Sequence, residues 1–320
     1  MSTAFVFPGQ GSQAVGMGKA LAEAFPAARS VFDEVDAALG EKLSDIMWDG
    51  PIEALTLTAN AQPALMATSL AAIRVLEAEA GLDLSRDAAF VAGHSLGEYS
   101  ALAAARSFAI SDAAGLLRLR GEAMQSAVPV GAGAMAAILG LDYDKVVDVA
   151  QEAAGDEVCD IANDNAPGQV VVSGGTQAIA RAVEIAKREG ASRAILLPVS
   201  APFHCRMIAS AADAMQEALA AVTVSAPVVP VVANVTAAPV SDPDAIRALL
   251  VKQVTGTVRW RESVAFMAGA GVTRLVEVGS GKVLAGLVKR IAREVAASNV
   301  SSPEDVAAYA ASTSAARASS

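Results

Sequence analysis

The chain is short of sulfur chemistry, of aromatic surface, of histidine and of positive charge. Its two cysteines, Cys159 and Cys205, form neither a disulfide framework nor a metal-ligand spacing, and their scarcity points to a reducing, cytoplasmic compartment. Only 4% of the residues are aromatic, too few to build stacking platforms for single-stranded nucleic acid. Lys and Arg number 24 against 34 Asp and Glu, a formal net charge of −10, which is a poor electrostatic match to a phosphate backbone and excludes a general nucleic-acid binder. No basic segment precedes an apolar run in MSTAFVFPGQ, so no signal peptide is expected. The longest uncharged stretch, between Glu122 and Asp142, carries Gln125, Ser126, Pro129, Gly131, Gly133 and Gly140; it reads as a turn and a buried strand rather than a membrane span. There is no internal repeat of fixed period.

What is abundant is apolar material. Over 320 residues, 53% are hydrophobic and 18% charged, with a mean hydropathy of +0.43, enough to bury a large core in one or two domains. Short runs rich in Val and Ile alternate with long Ala/Leu helical patterns, the rhythm of βαβ units around a mostly parallel sheet, so the fold class is α/β. Strands are expected over Thr3–Phe7, Ala88–Ala92, Pro230–Val235 and Arg274–Val278. Helices are expected over Gly18–Leu39, Pro63–Ala80, Ser111–Ala127, Pro202–Ala221 and Asp242–Val254.

Between Gly133 and Val199 the order changes to strand Ala134–Leu139, helix Tyr143–Ala154, strands Val158–Ala162 and Gln169–Ser173, helix Thr176–Glu189 and strand Ser192–Leu197. That β-α-β-β-α-β order is ferredoxin-like. The chain therefore divides into a discontinuous larger domain, 1–128 with 200–298, and an inserted subdomain, 129–199. The small, polar tail, 299–320, is expected to be disordered.

The strongest local signal is Gly93-His94-Ser95-Leu96-Gly97, a G-x-S-x-G placed directly between an expected strand and an expected helix. Glycines on either side permit a sharp turn that presents the serine hydroxyl, and the amide of Leu96 can donate to an oxyanion. The competing reading is an ordinary glycine-rich βα turn. A serine hydroxyl needs a base within hydrogen-bond reach, and the chain has only two histidines. His94 should diverge from Ser95 across the turn and support the elbow, leaving His204, in Ser200-Ala201-Pro202-Phe203-His204, as the base; the alternative for His204 is a satisfied structural histidine. Several acids lie between Ser95 and His204 without a recognisable context, and a backbone carbonyl can orient an imidazole equally well.

Gly9, Gly11 and Ala14 fit a relaxed dinucleotide fingerprint, but the acidic strand end it demands about twenty residues on falls inside a helical pattern. Gln10 then reads as a donor held near the reacting centre by a glycine-permitted loop. Gly279-Ser280-Gly281-Lys282 lacks the upstream glycine and the Ser or Thr of a phosphate loop. Arg118 and Arg120, two apart on a helix, point in different directions. At most one faces inward, and if buried near Ser95 it would clamp a carboxylate on the acyl group.

Taken together, FPGQGSQ (Phe7–Gln13), GHSLGEYSAL (Gly93–Leu102), RGEAMQ (Arg120–Gln125), QVVVSG (Gln169–Gly174) and SAPFH (Ser200–His204) resemble the malonyl-CoA:acyl carrier protein transacylases of bacterial fatty acid synthesis. The resemblance runs from the first strand to about Arg293. It implies an α/β-hydrolase-like domain with a ferredoxin-like insertion and a ping-pong transfer of malonyl from malonyl-CoA to the phosphopantetheine thiol of acyl carrier protein. Ser95 would form the ester, His204 would act as base and then acid, and Gln10 and the Leu96 amide would form the oxyanion hole. The main-chain carbonyl of Gln253 would orient His204. The resemblance gives Arg120 and Met124 to the acyl pocket; Phe203, next to the base, reads as a shield against water, and His94 completes the expected substrate-binding set. No metal or redox cofactor and no membrane enter, and the family is usually monomeric. Because carrier proteins are acidic, Lys282, Lys289, Arg290 and Arg293, spaced at intervals close to whole helical turns after the strand Arg274–Val278, form a candidate docking stripe. A serine hydrolase acting on acyl thioesters is the alternative, and a non-catalytic binding module the third reading.

Overall fold

In the computed structural model, residues 2–199 and 201–318 are described; Ser200 of the SAPFH motif lies outside them. Two sheets organise the chain. The larger has strand order β10-β9-β1-β2-β7-β8, built from β1 (Thr3–Phe7), β2 (Phe90–Gly93), β7 (Val231–Ala233), β8 (Ala238–Val240), β9 (Arg274–Val278) and β10 (Ala296–Val300). All neighbours run parallel except the closing β7–β8 pair. Phe5 and Phe7 of β1 pack into one hydrophobic cluster and Ala4 and Val6 into another, so the strand is an unbroken apolar run because both faces of the sheet are covered.

The smaller sheet, order β4-β5-β3-β6, is antiparallel throughout. It comprises β3 (Gly133–Leu139), β4 (Cys159–Ala166), β5 (Gln169–Gly175) and β6 (Arg193–Leu196). The helices Tyr143–Ala154 and Thr176–Arg188 cover one face, with Val146, Val149, Ile179 and Ala182 meeting Ala136, Ile138 and Val172 in a core of their own. Strand β4 is tied to the larger unit: its irregular segment bridges Asn163 to Val258, Val258 donates to the Ala162 carbonyl at 2.9 Å, and Asp164 donates to that of Val258 at 3.0 Å.

Three expectations need correction. The helix expected over Gly18–Leu39 is two, Lys19–Ala24 and Pro26–Leu39. Pro26 has no N–H for the preceding turn and takes the first position of a new helix. The segment expected as a helix from Pro202 starts instead with a loop and a 3₁₀ turn, Arg206–Ile208, before the helix Ala209–Ala221. The tail is ordered to residue 318: Ala296–Val300 adds to the sheet edge beside β9, and a helix spans Pro303–Ala318. Asp305 accepts from the Ser301 and Ser302 amides while Ser302 Oγ accepts from the Asp305 amide, a capping box that the polar composition concealed. Val306 and Tyr309 are buried, with the Tyr309 ring against Phe5 and under Arg274.

Candidate active site

The site lies at the carboxyl ends of the adjacent parallel strands β1 and β2, where open α/β sheets place their ligands. The turn after β2 is forced by sterics. A Cβ on Gly93 would sit 1.9 Å from the Gly97 carbonyl carbon, and one on Gly97 would lie 2.3 Å from the Phe7 oxygen. Between them Ser95 takes φ 54, a left-handed conformation that costs a non-glycine residue about 1–3 kcal/mol. The helix Gly97–Ala104 begins at once, with Leu96 as its N-cap, and the Leu96 N–H has no hydrogen bond to any described residue.

Ser95 Oγ lies 2.7 Å from His204 Nε2. His204 also has a positive φ, 57. Its Nδ1 donates to the carbonyl of Gln253 at 2.9 Å and to that of Gly256 at 3.2 Å. Because those oxygens can only accept, the proton sits on Nδ1 and Nε2 is left to accept from the serine. Among the described residues no acid completes a triad. Gln253 is in the last turn of the helix Pro243–Thr255, where carbonyls lack intrahelical partners and the helix end carries partial negative charge. Burial, and then the charge of Arg120, pushes His204 down to about 3, so the imidazole is neutral at working pH.

Of the two arginines, Arg120 is the inward one. It is 1% exposed, whereas Arg118 pairs outward with Glu41 and Asn60. Gly121 makes this possible: a Cβ there would lie 2.6 Å from Ala59 Cα, so the helix Ile110–Ser126 closes onto the helix Thr58–Ala80 and brings Arg120 to Gln62. The guanidinium donates to Gln62 Oε1 (2.7 Å), Gln253 Oε1 (2.9 Å) and Ser95 Oγ (3.3 Å). Its Nε has no partner and no carboxylate pairs with it among the described residues. A buried cation left without an anion is costly.

These groups line a cavity of about 320 Å³ shared by Gln10, His94, Leu96, Met124, Phe203 and Met135. Met124 accepts from Gln62 at 3.8 Å through its sulfur. His94 diverges from the serine as expected: its Nε2 meets Asn165 at 2.8 Å and its ring lies against Trp260. Gln10 donates from its side chain to Thr58 Oγ1 at 3.3 Å. Its loop is pinned by Ser280, whose hydroxyl donates to the Ser12 carbonyl at 2.6 Å.

The four cations of the docking stripe are all exposed but do not share one helix face. Lys282 caps the helix Val283–Ile291 and Arg293 lies beyond its end, and Arg290 donates to Gln169 (2.6 Å) and Pro167 (2.7 Å), bolting that helix to the smaller sheet. Of the four, Lys289 alone is an exposed helical cation not held by a described residue.

The sequence reading missed Gln62, Glu98, Asn163 and Asn234. Asn234 follows β7 at the carboxyl end of a parallel strand, and Glu98 stands on an otherwise apolar face in the first turn after the elbow; position at the strand ends was the available signal.

Residues 4–314 match the family described as acyl transferase domain. The chain belongs to that family. An Escherichia coli protein named malonyl CoA-acyl carrier protein transacylase is 47% identical over 305 residues, 95% of this chain and 97% of that one. The crystal structure of acyl-carrier-protein-S-malonyltransferase from Bartonella henselae superposes with a TM-score of 0.95 at 56% identity, covering 97% of this chain and 98% of the other. A malonyl-transacylase in complex with its type II PKS acyl-carrier protein superposes at 0.93 with 41% identity, covering 96% and 98%. The acyl transferase fold thus joins a mixed α/β architecture with a parallel sheet to the serine, histidine and arginine geometry above.

Proposed function

We propose that this protein transfers a malonyl group from malonyl-CoA to the phosphopantetheine thiol of an acyl carrier protein, through an ester on Ser95. The observation that carries the reading is Arg120: a buried cation, without a carboxylate partner among the described residues, 3.3 Å from the serine hydroxyl and lining the same cavity. An acyl group ending in a carboxylate supplies the missing anion. The charge-assisted clamp contributes about 1.5–3 kcal/mol, about tenfold to 150-fold over a neutral acyl group, and a neutral acyl group leaves the guanidinium unpaired.

His204 Nε2 accepts the Ser95 proton as Oγ attacks the thioester carbonyl. The oxyanion is received by the Leu96 amide and Gln10. The C–S bond then breaks, and the imidazolium returns its proton to the CoA sulfur. The carrier's thiol repeats the sequence in reverse, giving up its proton to His204 and leaving Ser95 as the free alcohol. Burial and, after it, the charge of Arg120 depress His204 in the empty site, so a bound carboxylate that neutralises the clamp relieves the second of these and strengthens the base. Selectivity for malonyl therefore enters the rate of acylation as well as binding. Phe203, buried beside the base, shields the ester from water and crowds an α-branch.

The sheet order and crossovers support the finer description of an α/β-hydrolase-like domain, 1–128 with 200–298, carrying a ferredoxin-like subdomain, 129–199. The resemblance supports a cytoplasmic monomer that needs no metal or redox cofactor, since each step uses side-chain and thiol chemistry alone. No helix among the described residues is long and apolar enough to cross a membrane.

The test is intact mass after mixing with malonyl-CoA, beside acetyl-CoA and Ser95→Ala, followed by carrier protein. The expected result is a malonyl adduct that requires Ser95, persists in buffer, is weak or absent with acetyl-CoA and moves to the carrier thiol. An adduct that hydrolyses faster than it transfers identifies a hydrolase instead.

A further inference from the structure

Gln253 touches the nucleophile, the base and the clamp. Its carbonyl accepts from His204, its side-chain Oε1 accepts from Arg120, and its Nε2 donates to the Ser95 carbonyl at 2.9 Å and to Glu98 Oε2 at 2.8 Å. An amide can be turned over, and what prevents it here is the set of acceptors facing its NH₂ group. Reversed, its oxygen would meet the Ser95 carbonyl and the Glu98 carboxylate while its NH₂ met a guanidinium. Glu98 is the charged member of that set. The same Oε2 accepts from the Asn234 amide at 3.0 Å, and Asn234 clips both ends of the elbow: Oδ1 accepts from the Ser95 amide at 2.8 Å and Nδ2 donates to the Gly93 carbonyl at 2.7 Å. Glu98, Asn234 and Gln253 are 2%, 1% and 0% exposed, so no water competes for these bonds.

We propose that Glu98 is a positioning residue for this reaction: through Gln253 and Asn234 it holds the Ser95 elbow, the orientation of His204 and the Arg120 clamp in one arrangement. The inference rests on the transfer reading above. A carboxylate is a poor choice for stability alone, because it is buried without a cation in contact among the described residues, and a glutamine of the same shape would be cheaper to bury. Burial raises its carboxyl to about 7; Arg120, from the helix Ile110–Ser126, opposes that rise, and the adjacent Tyr99 is the other ionisable group interacting with it. Its charge is therefore present at pH 8 and being lost at pH 6. With the folded value above the ordinary one, any stability from Glu98 is full below about pH 4.5 and gone above about 7, so at pH 8 the anion serves function at the expense of the fold.

The experiment measures the rate of Ser95 acylation by malonyl-CoA from pH 5.5 to 8.5, with melting temperatures at pH 8, for the wild-type chain, Glu98→Gln and Glu98→Asp. Expected for Glu98→Gln is acylation at least about fivefold slower at pH 8, a flat profile across the range where the wild-type rate falls on acidification, and a melting temperature no lower than wild type. Glu98→Asp keeps the charge but falls a methylene short, so it is slow and keeps the acid limb. Wild-type rate and limb in Glu98→Gln overturn the proposal, as does a slowed rate that tracks a lowered melting temperature with the limb intact. Absence of any malonyl adduct on the wild-type chain overturns the transfer reading itself, a result separable from the other two.

Discussion

The two walls of the cavity are built on different principles. The wall from the larger sheet carries Ser95, His204 and Arg120, with Gln253 behind them: Ser95 Oγ meets both His204 and Arg120, and Gln253 bonds to all three. The wall from the smaller sheet gives Met135 from β3, Asn163 from β4 and Leu197 beyond β6, which line space without joining that network. One wall fixes reacting atoms to within a hydrogen bond; the other sets the shape of what enters. Changes to the first should therefore strike the chemical step, and changes to the second the choice of acyl group.

The largest expected effect is on the first wall. His204→Ala removes the proton acceptor and should lower the rate of Ser95 acylation by about 10⁴- to 10⁶-fold, read by rapid-quench mass measurement. A loss under about tenfold would mean that Arg120, also in contact with Oγ, activates the serine without a base, and the division of labour on that wall would have to be redrawn. Next comes Arg120→Gln, which should cost about tenfold to 150-fold with malonyl-CoA and much less with acetyl-CoA, narrowing the ratio of the two rates. An equal loss with both donors would make Arg120 part of the serine's environment and not a carboxylate clamp. The smallest effect belongs to the second wall. Met135→Ala should change malonyl acylation by less than about tenfold while raising the relative rate with a branched donor such as methylmalonyl-CoA. If it instead matched the Arg120 variant, the contrast between the walls would collapse.

The same contrast explains what could be read in advance. The elbow was legible because its cause is local: two glycines, four residues apart, each facing backbone at a distance no Cβ tolerates. The smaller sheet was legible because period and turn signals are short-range, and the helix Tyr143–Ala154 falls where expected. The tail was misread because a capping box and two anchoring side chains, Val306 and Tyr309, outweighed an otherwise small and polar composition. Of the basic stripe only the spacing was legible, and spacing says nothing of what each cation meets: Arg290 meets the smaller sheet.

The sequence by itself determined the α/β class, the serine turn and, by scarcity, that one of two histidines had to serve it. Spacing left open whether Arg118 or Arg120 faced inward and whether an acid or a carbonyl oriented His204; the resemblance implied Arg120 and the Gln253 carbonyl, and the tertiary structure supplied the physical reason for each. Spacing could not decide because of distance along the chain. Ser95 and His204 are 109 residues apart and Ser95 and Gln253 are 158, so their meeting depends on how parallel strands order themselves in the sheet and on where a helix happens to end. A local pattern carries the conformation of a turn; it carries no information about which distant carbonyl will be left without a partner at the end of another helix.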